Sequence, residues 1–378
     1  MRVIRTKHSG GARRVVLVDD DDKPVEVVAA FIAHLGARGC SPNTQQAYTY
    51  DLLRFWRFLS SHDLTWNTVR PPDTLKLLEY LRTTPSARSA QQLGLSLVVP
   101  AAGSAGRRLS PATVNRIIAA VSSFYDYTSI AGLLDAANPI EKHPDPNSWR
   151  VSDRRRPFLD GISRQKPVRR SIRVRVAERL PRPLSEDEVD RLLASVTRWR
   201  DRAMLLLMLD GGLRAGEVLT LQLGDIEYGR RRIVIRQHDD HPHGARTKSR
   251  RERVVDLREQ RTLDAVSHYV VDERSSDAQT TYVFLVDRGQ RRNEPLGYAA
   301  LARLFQRRCD RLGIREPWVT PHALRHTHAT RMWEGGMREL TLQKRLGHTS
   351  PESTRIYTRV SDAAVVADYQ RALGTKST

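Results

Sequence analysis

Five side chains in the second half of the chain could together act on an anion. They are two arginines, two histidines and a tyrosine, in the order Arg214, His322, Arg325, His348 and Tyr357. A guanidinium can hold two oxygens of an anion at once, a histidine can transfer a proton, and a tyrosine hydroxyl can be a nucleophile. Each residue alone has an ordinary explanation as surface charge or packing. Their order and context are hard to obtain by accident, so we treat them as one candidate site.

The segments around the first three residues predict helix starts. Glycines in Gly211–Glu217 allow a tight turn, so Arg214 is predicted at a helix N-terminus, where anions are favoured. Thr320-Pro321 supplies a candidate cap and a proline at the first helical position. His322 and Arg325 then lie three residues apart and share one helix face.

The last segment predicts a helix end followed by a new helix. Gly347 can end a helix, His348 follows it, and Ser350-Pro351 can begin the next helix. Tyr357 lies in that short helix, nine positions after His348.

With these segments the chain resembles the tyrosine recombinases, also called the phage integrase family. The family pattern is an arginine in G-L-R-x-x-E, a lysine on a β-hairpin, H-x-x-R, and L-G-H with a tyrosine nine residues on. Here the pattern is found at Gly212–Glu217, His322–Arg325, Leu346–His348 and Tyr357. The resemblance is strong over residues 184–360 and weaker in the helical block before them.

Lys248 matches the hairpin lysine of the family. It lies in Arg246–Arg250, ahead of the β-rich run Arg253–Leu257. It is also the only lysine between Lys166 and Lys344, in a chain that otherwise prefers arginine. Since lysine gives up a proton far more readily than arginine, this favours an ammonium that acts as an acid. The alternative is one more contact to phosphate.

The resemblance implies an enzyme in which Tyr357 attacks a DNA phosphodiester and forms a phosphotyrosyl bond. Arg214 and Arg325 would hold the non-bridging oxygens, with a further hydrogen bond from His348. Lys248 would protonate the leaving 5′ oxygen. Neither ATP nor a metal is expected. The phosphotyrosyl bond conserves the energy of the broken phosphodiester, so the strand can be resealed at roughly no cost in free energy.

Two residues are expected to support this chemistry. His322 either accepts the proton of the tyrosine or donates a hydrogen bond to the phosphate. Glu217 matches the acidic position of the family and is expected to orient its neighbours. His326 and His328, beside the motif, are expected to pack or orient. A metal site in the loop 238–243 is a further interpretation of its three histidines, although the expected chemistry needs none.

Composition fits a DNA partner and argues against other classes. The 378 residues carry a formal net charge of +20, which points to a polyanion. The longest apolar run, Ala203–Leu209, is far shorter than the roughly 20 residues of a membrane span. Two cysteines cannot make a disulfide scaffold, and the N-terminus has no secretion signal pattern. A cytoplasmic protein is therefore predicted.

Periodicity predicts a mainly α fold with a small β-sheet. Residues 1–24 are interpreted as an irregular tail and residues 25–143 as a helical domain, which the resemblance implies is the SAM-like core-binding domain of the family. Ser41-Pro42 and Ser110-Pro111 each predict the cap and first residue of a helix. Residues 144–180 are interpreted as a basic linker and residues 181–373 as the catalytic domain, where Ser185 and Glu188 predict a capping box. Short β runs are predicted at 233–236, 253–257 and 282–286.

Two further segments each allow two interpretations. Residues 150–182 hold twelve Lys and Arg against three acids, so the linker is either a solvated spacer or a strand lying along DNA. Residues 361–373 predict an amphipathic terminal helix that packs either on its own domain or on a neighbouring subunit. The resemblance favours the second, in a tetramer around two duplexes.

The biological role is predicted to be mobile-element integration or transposition. The short N-terminal segment favours a two-domain enzyme without a separate arm-binding domain. The sequence around Lys248, which is similar to transposon-encoded members, and the insertion at 144–180 favour this role over an Xer-type chromosome or plasmid resolvase. Two more roles stay open, that of a type IB topoisomerase-like enzyme with the same chemistry and that of a DNA-binding protein without catalysis.

Overall fold

The structure, a computed structural model, describes residues 1–7, 13–86, 108–144, 168–176, 182–238, 240–247, 252–316 and 318–347. The chain divides into two compact units, Met1–Glu178 and Arg179–Thr378. Both are mostly helical, as the sequence predicts, and both carry small antiparallel sheets, of which the sequence predicts only that of the second unit. Among the described residues, no helix is both long and apolar enough to cross a bilayer.

In its described residues the first unit holds four helices and two pairs of short antiparallel strands. Its strands and helices are β1 (Arg2–Lys7), β2 (Arg13–Val18), α1 (Glu26–Ala37), α2 (Pro42–Ser61), α3 (Pro71–Thr83), α4 (Pro111–Ile130), β3 (Lys142–Pro144) and β4 (Val168–Arg170).

Serine–proline pairs start the two longest helices, as predicted. The hydroxyl of Ser41 accepts from the backbone N–H of Thr44 at 3.1 Å, and that of Ser110 accepts from Thr113 at 3.3 Å. Both helices contribute aromatic side chains to one core. The aromatic side chains that are less than 2% exposed include Phe55, Phe58, Phe124 and Tyr125 from these two helices and Phe31 from α1.

The N-terminal segment is not the irregular tail that the sequence predicts. β1 and β2 pair antiparallel, with Arg2 opposite Val18 and Lys7 opposite Arg13. Leu17 and Val18 are buried, and Leu17 belongs to the core of the helices. The hairpin is ordered by burial against the helices, a long-range effect that composition cannot show.

Part of the predicted basic linker also belongs to the first unit. β4 pairs antiparallel with β3, and Ile172 is buried in the helical core. The side-chain amide of Asn115 donates to the backbone oxygen of Val174 at 2.9 Å, and its oxygen accepts from the N–H of Val174 at 2.8 Å. Residues 168–176 are therefore packed on α4, whereas residues 145–167 lie outside the described part.

The second unit surrounds one central apolar helix. Its helices and strands are α5 (Glu186–Ala194), α6 (Trp199–Leu209), α7 (Ala215–Leu219), β5 (Ile226–Glu227), β6 (Arg232–Ile235), β7 (Arg253–Asp256), α8 (Gln260–His268), α9 (Tyr298–Arg311), α10 (Pro321–Glu334) and α11 (Glu339–Leu346). β5, β6 and β7 form an antiparallel sheet in that order.

The central helix is α6, whose residues from Ala203 to Leu209 are all buried. A helix that is apolar all round must be covered on every side, and α6 packs against α8 and α10. At the start of the unit, Ser185 and Glu188 form the predicted capping box, with bonds of 3.2 and 2.8 Å.

The third predicted β run is not a strand. Residues 282–286 form only isolated bridges, Gln222 with Tyr282 and Leu285 with Pro295. Tyr282, Val283, Phe284 and Leu285 are all buried. The apolar residues of this segment thus correctly indicate that it is buried, but they do not show whether it forms a continuous ladder of strand hydrogen bonds.

Candidate active site

A tight turn between α6 and α7 places Arg214. Gly212 has a φ of +66°, and a Cβ there would lie 2.5 Å from Cδ2 of His328, so the turn requires glycine. Arg214 is the N-cap residue of α7, and its backbone N–H donates to Oε2 of Glu217 at 2.8 Å. The predicted position of Arg214 at a helix start is confirmed.

Glu217 is the centre of the site. Its side chain has no exposed surface, and three guanidinium groups from the described residues surround it. Nη1 of Arg214 donates to Oε1 at 2.8 Å. Nη1 and Nη2 of Arg253 donate to Oε1 and Oε2 at 2.9 and 2.7 Å. Nη1 of Arg325 lies 3.8 Å from Oε2.

These contacts keep the Glu217 carboxylate ionised. Burial by itself would raise the pKa of Glu217, but the hydrogen bonds and charge of Arg253, then the charges of Arg325 and Arg214, lower it to about 2. Three positive groups around one negative group leave a surplus of two positive charges. That surplus can attract an anion such as a phosphodiester.

The two candidate clamp arginines also hold the end of α11. Nη2 of Arg325 donates to the carbonyl of Leu346 at 2.6 Å, and Nη1 donates to that of Gly212 at 2.6 Å. Nη2 of Arg214 donates to the carbonyl of Gly347 at 3.2 Å. The side chain of Arg325 is 1% exposed and that of Arg214 is 19% exposed, so Arg214 is the more accessible of the two.

The start of α10 presents His322 to solvent. Thr320 is the N-cap residue but its side chain makes no capping hydrogen bond, and Pro321 occupies the first turn as predicted. His322 is exposed, and its ring lies edge-on to that of His326 with centroids 4.5 Å apart. Burial, then the charges of His322 and Arg325, lower the pKa of His326 to about 4, so it is neutral at pH 7.

His328 is a buried hydrogen-bonding residue beneath the site. Its Nδ1–H donates to the carbonyl of Leu209 at 2.8 Å, while Nε2 accepts from Nε of Arg345 at 3.0 Å. Burial and then the charge of Arg345 lower the pKa of His328 to about 3. The neutral ring therefore joins α10 to the ends of α6 and α11, in keeping with the predicted orienting role.

The structure brings together Arg214, Glu217 and Arg325, with His322 on the same helix as Arg325. The other three predicted site residues, Lys248, His348 and Tyr357, lie outside the described part. So does the predicted terminal helix, residues 361–373. Gly347, just before His348, has a φ of +63° and ends α11 as predicted.

Sequence reasoning did not identify Arg253 or Arg345 as parts of this site. Both are arginines in a chain rich in arginine, so residue type gives no signal. The available signal for Arg253 is a charged residue at the start of a predicted strand, shortly after Lys248. A charge in that place is costly to bury unless it is paired.

The histidine-rich loop makes protein contacts in the part that the structure describes. Nε2 of His238 lies 2.9 Å from Asp225, and Nδ1 of His241 accepts from the N–H of His243 at 3.2 Å. Among the described residues there is no group of three side chains that could hold a metal ion.

Two family models match the chain. Residues 182–364 match the phage integrase family, and residues 28–100 match the N-terminal SAM-like domain of phage integrases. Together the matches cover more than half of the chain.

Curated proteins with similar sequences match over almost the full length. Transposase A from transposon Tn554 of Staphylococcus aureus is 29% identical over 362 residues, which cover 96% of this chain and 94% of the transposase. The tyrosine recombinase XerC of Roseiflexus castenholzii is 27% identical over 348 residues, covering 89% of each chain.

Solved structures share the fold at lower identity. The Tn1549 transposon integrase in complex with a circular intermediate DNA has a TM-score of 0.57 and 17% identity, covering 91% of this chain and 99% of that chain. The XerH recombinase bound to its palindromic difH substrate has a TM-score of 0.58 and 18% identity, covering 88% and 81%.

Proposed function

The chain belongs to the phage integrase family, the tyrosine recombinases, and from this premise we propose that it cuts and rejoins double-stranded DNA through a 3′-phosphotyrosyl intermediate on Tyr357. It is a site-specific recombinase. Similarity over nearly its whole length to a transposon-encoded transposase supports a role in the integration or transposition of a mobile element.

The surplus positive charge around Glu217 carries this proposal. Attack on the phosphorus of a phosphodiester concentrates negative charge on the non-bridging oxygens. Arg214 donates to Oε1 of the carboxylate and Arg325 lies 3.8 Å from Oε2, while Arg253 binds both oxygens. The two clamp arginines can therefore turn donors towards a phosphate without leaving Glu217 unpaired.

In the proposed reaction the hydroxyl oxygen of Tyr357 attacks phosphorus as its proton passes to a base. The bond from phosphorus to the 5′ oxygen breaks, and Lys248 gives that oxygen a proton. His348 donates a hydrogen bond to a non-bridging oxygen. His322 is the base for the tyrosine or a further donor to the phosphate. One phosphoester replaces another, so the reverse attack by a 5′ hydroxyl reseals the strand without ATP.

A nicked suicide substrate tests the nucleophile. The short fragment that carries the released 5′ hydroxyl diffuses away, so the strand cannot be resealed and the covalent complex accumulates. Wild-type protein should give a protein–DNA adduct on a denaturing gel. Tyr357→Phe should bind DNA and give none, because only the hydroxyl is lost. Tyr298→Phe, at a tyrosine that is 54% exposed on α9, is the control and should behave like wild type. An adduct with Tyr357→Phe would identify another nucleophile.

A second assay separates the remaining functions. An Xer-type resolvase, which the similarity to XerC supports, would act on two sites repeated in one molecule. A type IB topoisomerase-like enzyme would relax supercoils without exchanging partners. Comparing relaxation, resolution and insertion into a second molecule distinguishes them, and we expect insertion or excision at the ends of a mobile element.

We also propose that four subunits assemble on two duplexes during exchange, because two sites need four cleavages. Cytoplasmic action stays a prediction from the sequence.

A further inference from the structure

Arg253 connects the segments that carry the candidate catalytic residues. It lies in the first position of β7, five residues after Lys248, and its side chain is 8% exposed. Its guanidinium group binds both carboxylate oxygens of Glu217. Glu217 lies in α7, the helix whose N-cap residue is Arg214. Its Nε donates to the carbonyl of Arg345 at 3.0 Å, near the end of α11. One guanidinium thus joins β7, α7 and α11.

The approach of Arg253 to the end of α11 is close. A Cβ at Gly347 would lie 2.8 Å from Nη1 of Arg253, so a larger residue there would displace the guanidinium. The carbonyl of Gly347 accepts from Arg214. Two arginines therefore hold the backbone directly before His348.

The donors to Glu217 show what Arg253 does for the charge of the site. Arg253 gives the carboxylate two hydrogen bonds of 2.9 and 2.7 Å, one to each oxygen. Without it, the guanidinium groups that the described part of the chain leaves near the carboxylate are those of Arg214 and Arg325, the two proposed phosphate clamps. A buried carboxylate is costly to leave unpaired. Those two groups would then be drawn towards Glu217 and away from the phosphate.

We propose that Arg253 is a positioning residue that neutralises Glu217 and so leaves Arg214 and Arg325 available to the scissile phosphate. This inference rests on the proposed function, since it concerns the same site. Arg253 itself does not need to touch DNA.

The main test compares cleavage of two nicked substrates by the full-length protein. One has an ordinary scissile phosphodiester, and the other has a methylphosphonate, in which methyl replaces one non-bridging oxygen and removes the charge. Arg253→Met should slow single-turnover cleavage of the phosphodiester by about 10²-fold, the scale for a misplaced catalytic group. The slowing should be at least tenfold smaller with the methylphosphonate, because a neutral phosphorus centre needs less cationic stabilisation.

The matched control is Arg232→Met on the neighbouring strand β6. Arg232 also pairs with a carboxylate, that of Glu227 at 2.7 Å, but lies outside the site and is 29% exposed. The Arg232→Met variant should cleave both substrates at the wild-type rates. Arg253→Lys should recover only part of the rate, because a single ammonium cannot bind both carboxylate oxygens as a fork does.

If Arg253→Met is unstable, Arg253→Lys takes its place in the comparison of the two substrates. A double variant tests the charge of Glu217 directly. Glu217→Gln in the Arg253→Met background removes the charge that Arg253 neutralises, so the double variant should cleave faster than Arg253→Met alone. Equal slowing on both substrates, with no gain from Glu217→Gln, would overturn the proposal and make Arg253 a purely structural residue. Unchanged cleavage by Arg253→Met would also overturn it. Failure of the wild-type protein to form an adduct would instead overturn the proposed function.

Discussion

Gly216 of α7 lies directly against the backbone of Arg246. A Cβ built at Gly216 would lie 2.5 Å from the carbonyl oxygen of Arg246, closer than real atoms approach. This places the chain two residues before Lys248 against the helix whose N-cap is Arg214. The glycine therefore sets the distance between two segments that carry proposed catalytic residues.

Gly216→Ala should push these segments apart. Overpacking of this kind costs about 1–3 kcal/mol, so we expect a lower melting temperature and slower cleavage of a nicked substrate. Gly229→Ala is the control, because nothing lies within 4 Å of a Cβ there.

A modified substrate shows whether the defect acts through the leaving group. A sulfur in place of the 5′ bridging oxygen leaves as a thiolate and needs little protonation. Faster cleavage of this substrate by Gly216→Ala would support displacement of Lys248. An equal defect on both substrates would show that the substitution disturbs something other than the acid.

Arg214→Ala and Arg325→Ala should each slow cleavage by about 10² or more, the scale for deleting one charge-stabilising donor. Their effects on stability should differ. Arg325 is buried and donates to the carbonyls of Gly212 and Leu346, so its loss should also lower the melting temperature. Arg214 is more exposed, so its loss should lower the melting temperature less.

Single-turnover cleavage, DNA binding and thermal melting measured together check this pair. Lysine at either position should restore little activity, because the fork is lost. Normal cleavage by either alanine variant, with DNA bound, would show that the residue is not part of the clamp.

Local signals account for what the sequence predicted correctly. Ser41-Pro42, Ser110-Pro111 and the Ser185–Glu188 box act within one helical turn, so the residues of that turn suffice to predict them. The hairpin of β1 and β2 depends on burial of Leu17 by helices far along the chain. No short-range pattern contains that contact.

The site shows the same division. Motif spacing identified Arg214, Glu217 and Arg325, and the structure brings their charged groups together. The sequence did not identify Arg253 as a site residue, because its role depends on Glu217, which lies 36 residues away in the chain. Only a folded chain shows that this arginine shares the carboxylate.

His328 should make stability depend on pH. The pKa of this ring is about 3 in the folded chain, against an ordinary value of 6.5. Between these values the unfolded chain binds the proton and the folded chain does not, so protonation favours unfolding. The contribution of neutral His328 to stability is therefore complete above about pH 6.5 and declines as the pH falls towards 3.

Melting temperatures at pH 7.5 and 5.0 check this expectation. His328→Gln should have a lower melting temperature than wild type at pH 7.5. Its melting temperature should fall less between pH 7.5 and 5.0 than that of wild type, because an amide does not titrate. His268→Gln is the control, since that ring is 51% exposed. The pKa of His326 is also lowered, and this residue is present in both wild type and His328→Gln. The test is therefore the difference between the pH dependences of their melting temperatures. Parallel curves would rule out His328 as the source.

The packed part of the basic segment should contact DNA through its exposed side chains. Ile172 is buried and Val174 is bonded to Asn115, whereas Arg173 and Arg175 are exposed. Replacing both arginines with glutamine should flatten the slope of log affinity against log salt by roughly 0.9 per lost phosphate contact. Arg2→Gln, at an arginine already paired with Asp22, is the control. An unchanged slope would assign the segment a packing role alone.

The last prediction concerns the C-terminal segment, residues 361–373, which the sequence predicts to be an amphipathic helix. It follows Tyr357 closely, and a terminal helix that docks on the next subunit in a ring would couple neighbouring sites. Truncation after Val360 should leave the binding of one protomer to DNA nearly intact but abolish strand exchange. Cleavage should fall in parallel with the synaptic complex on native gels at matched protein concentration. Truncation after Leu373 removes only the final residues and should recombine normally. If the shorter chain also recombines normally, docking on a neighbouring subunit is ruled out. If it loses binding by single protomers, the helix packs on its own domain.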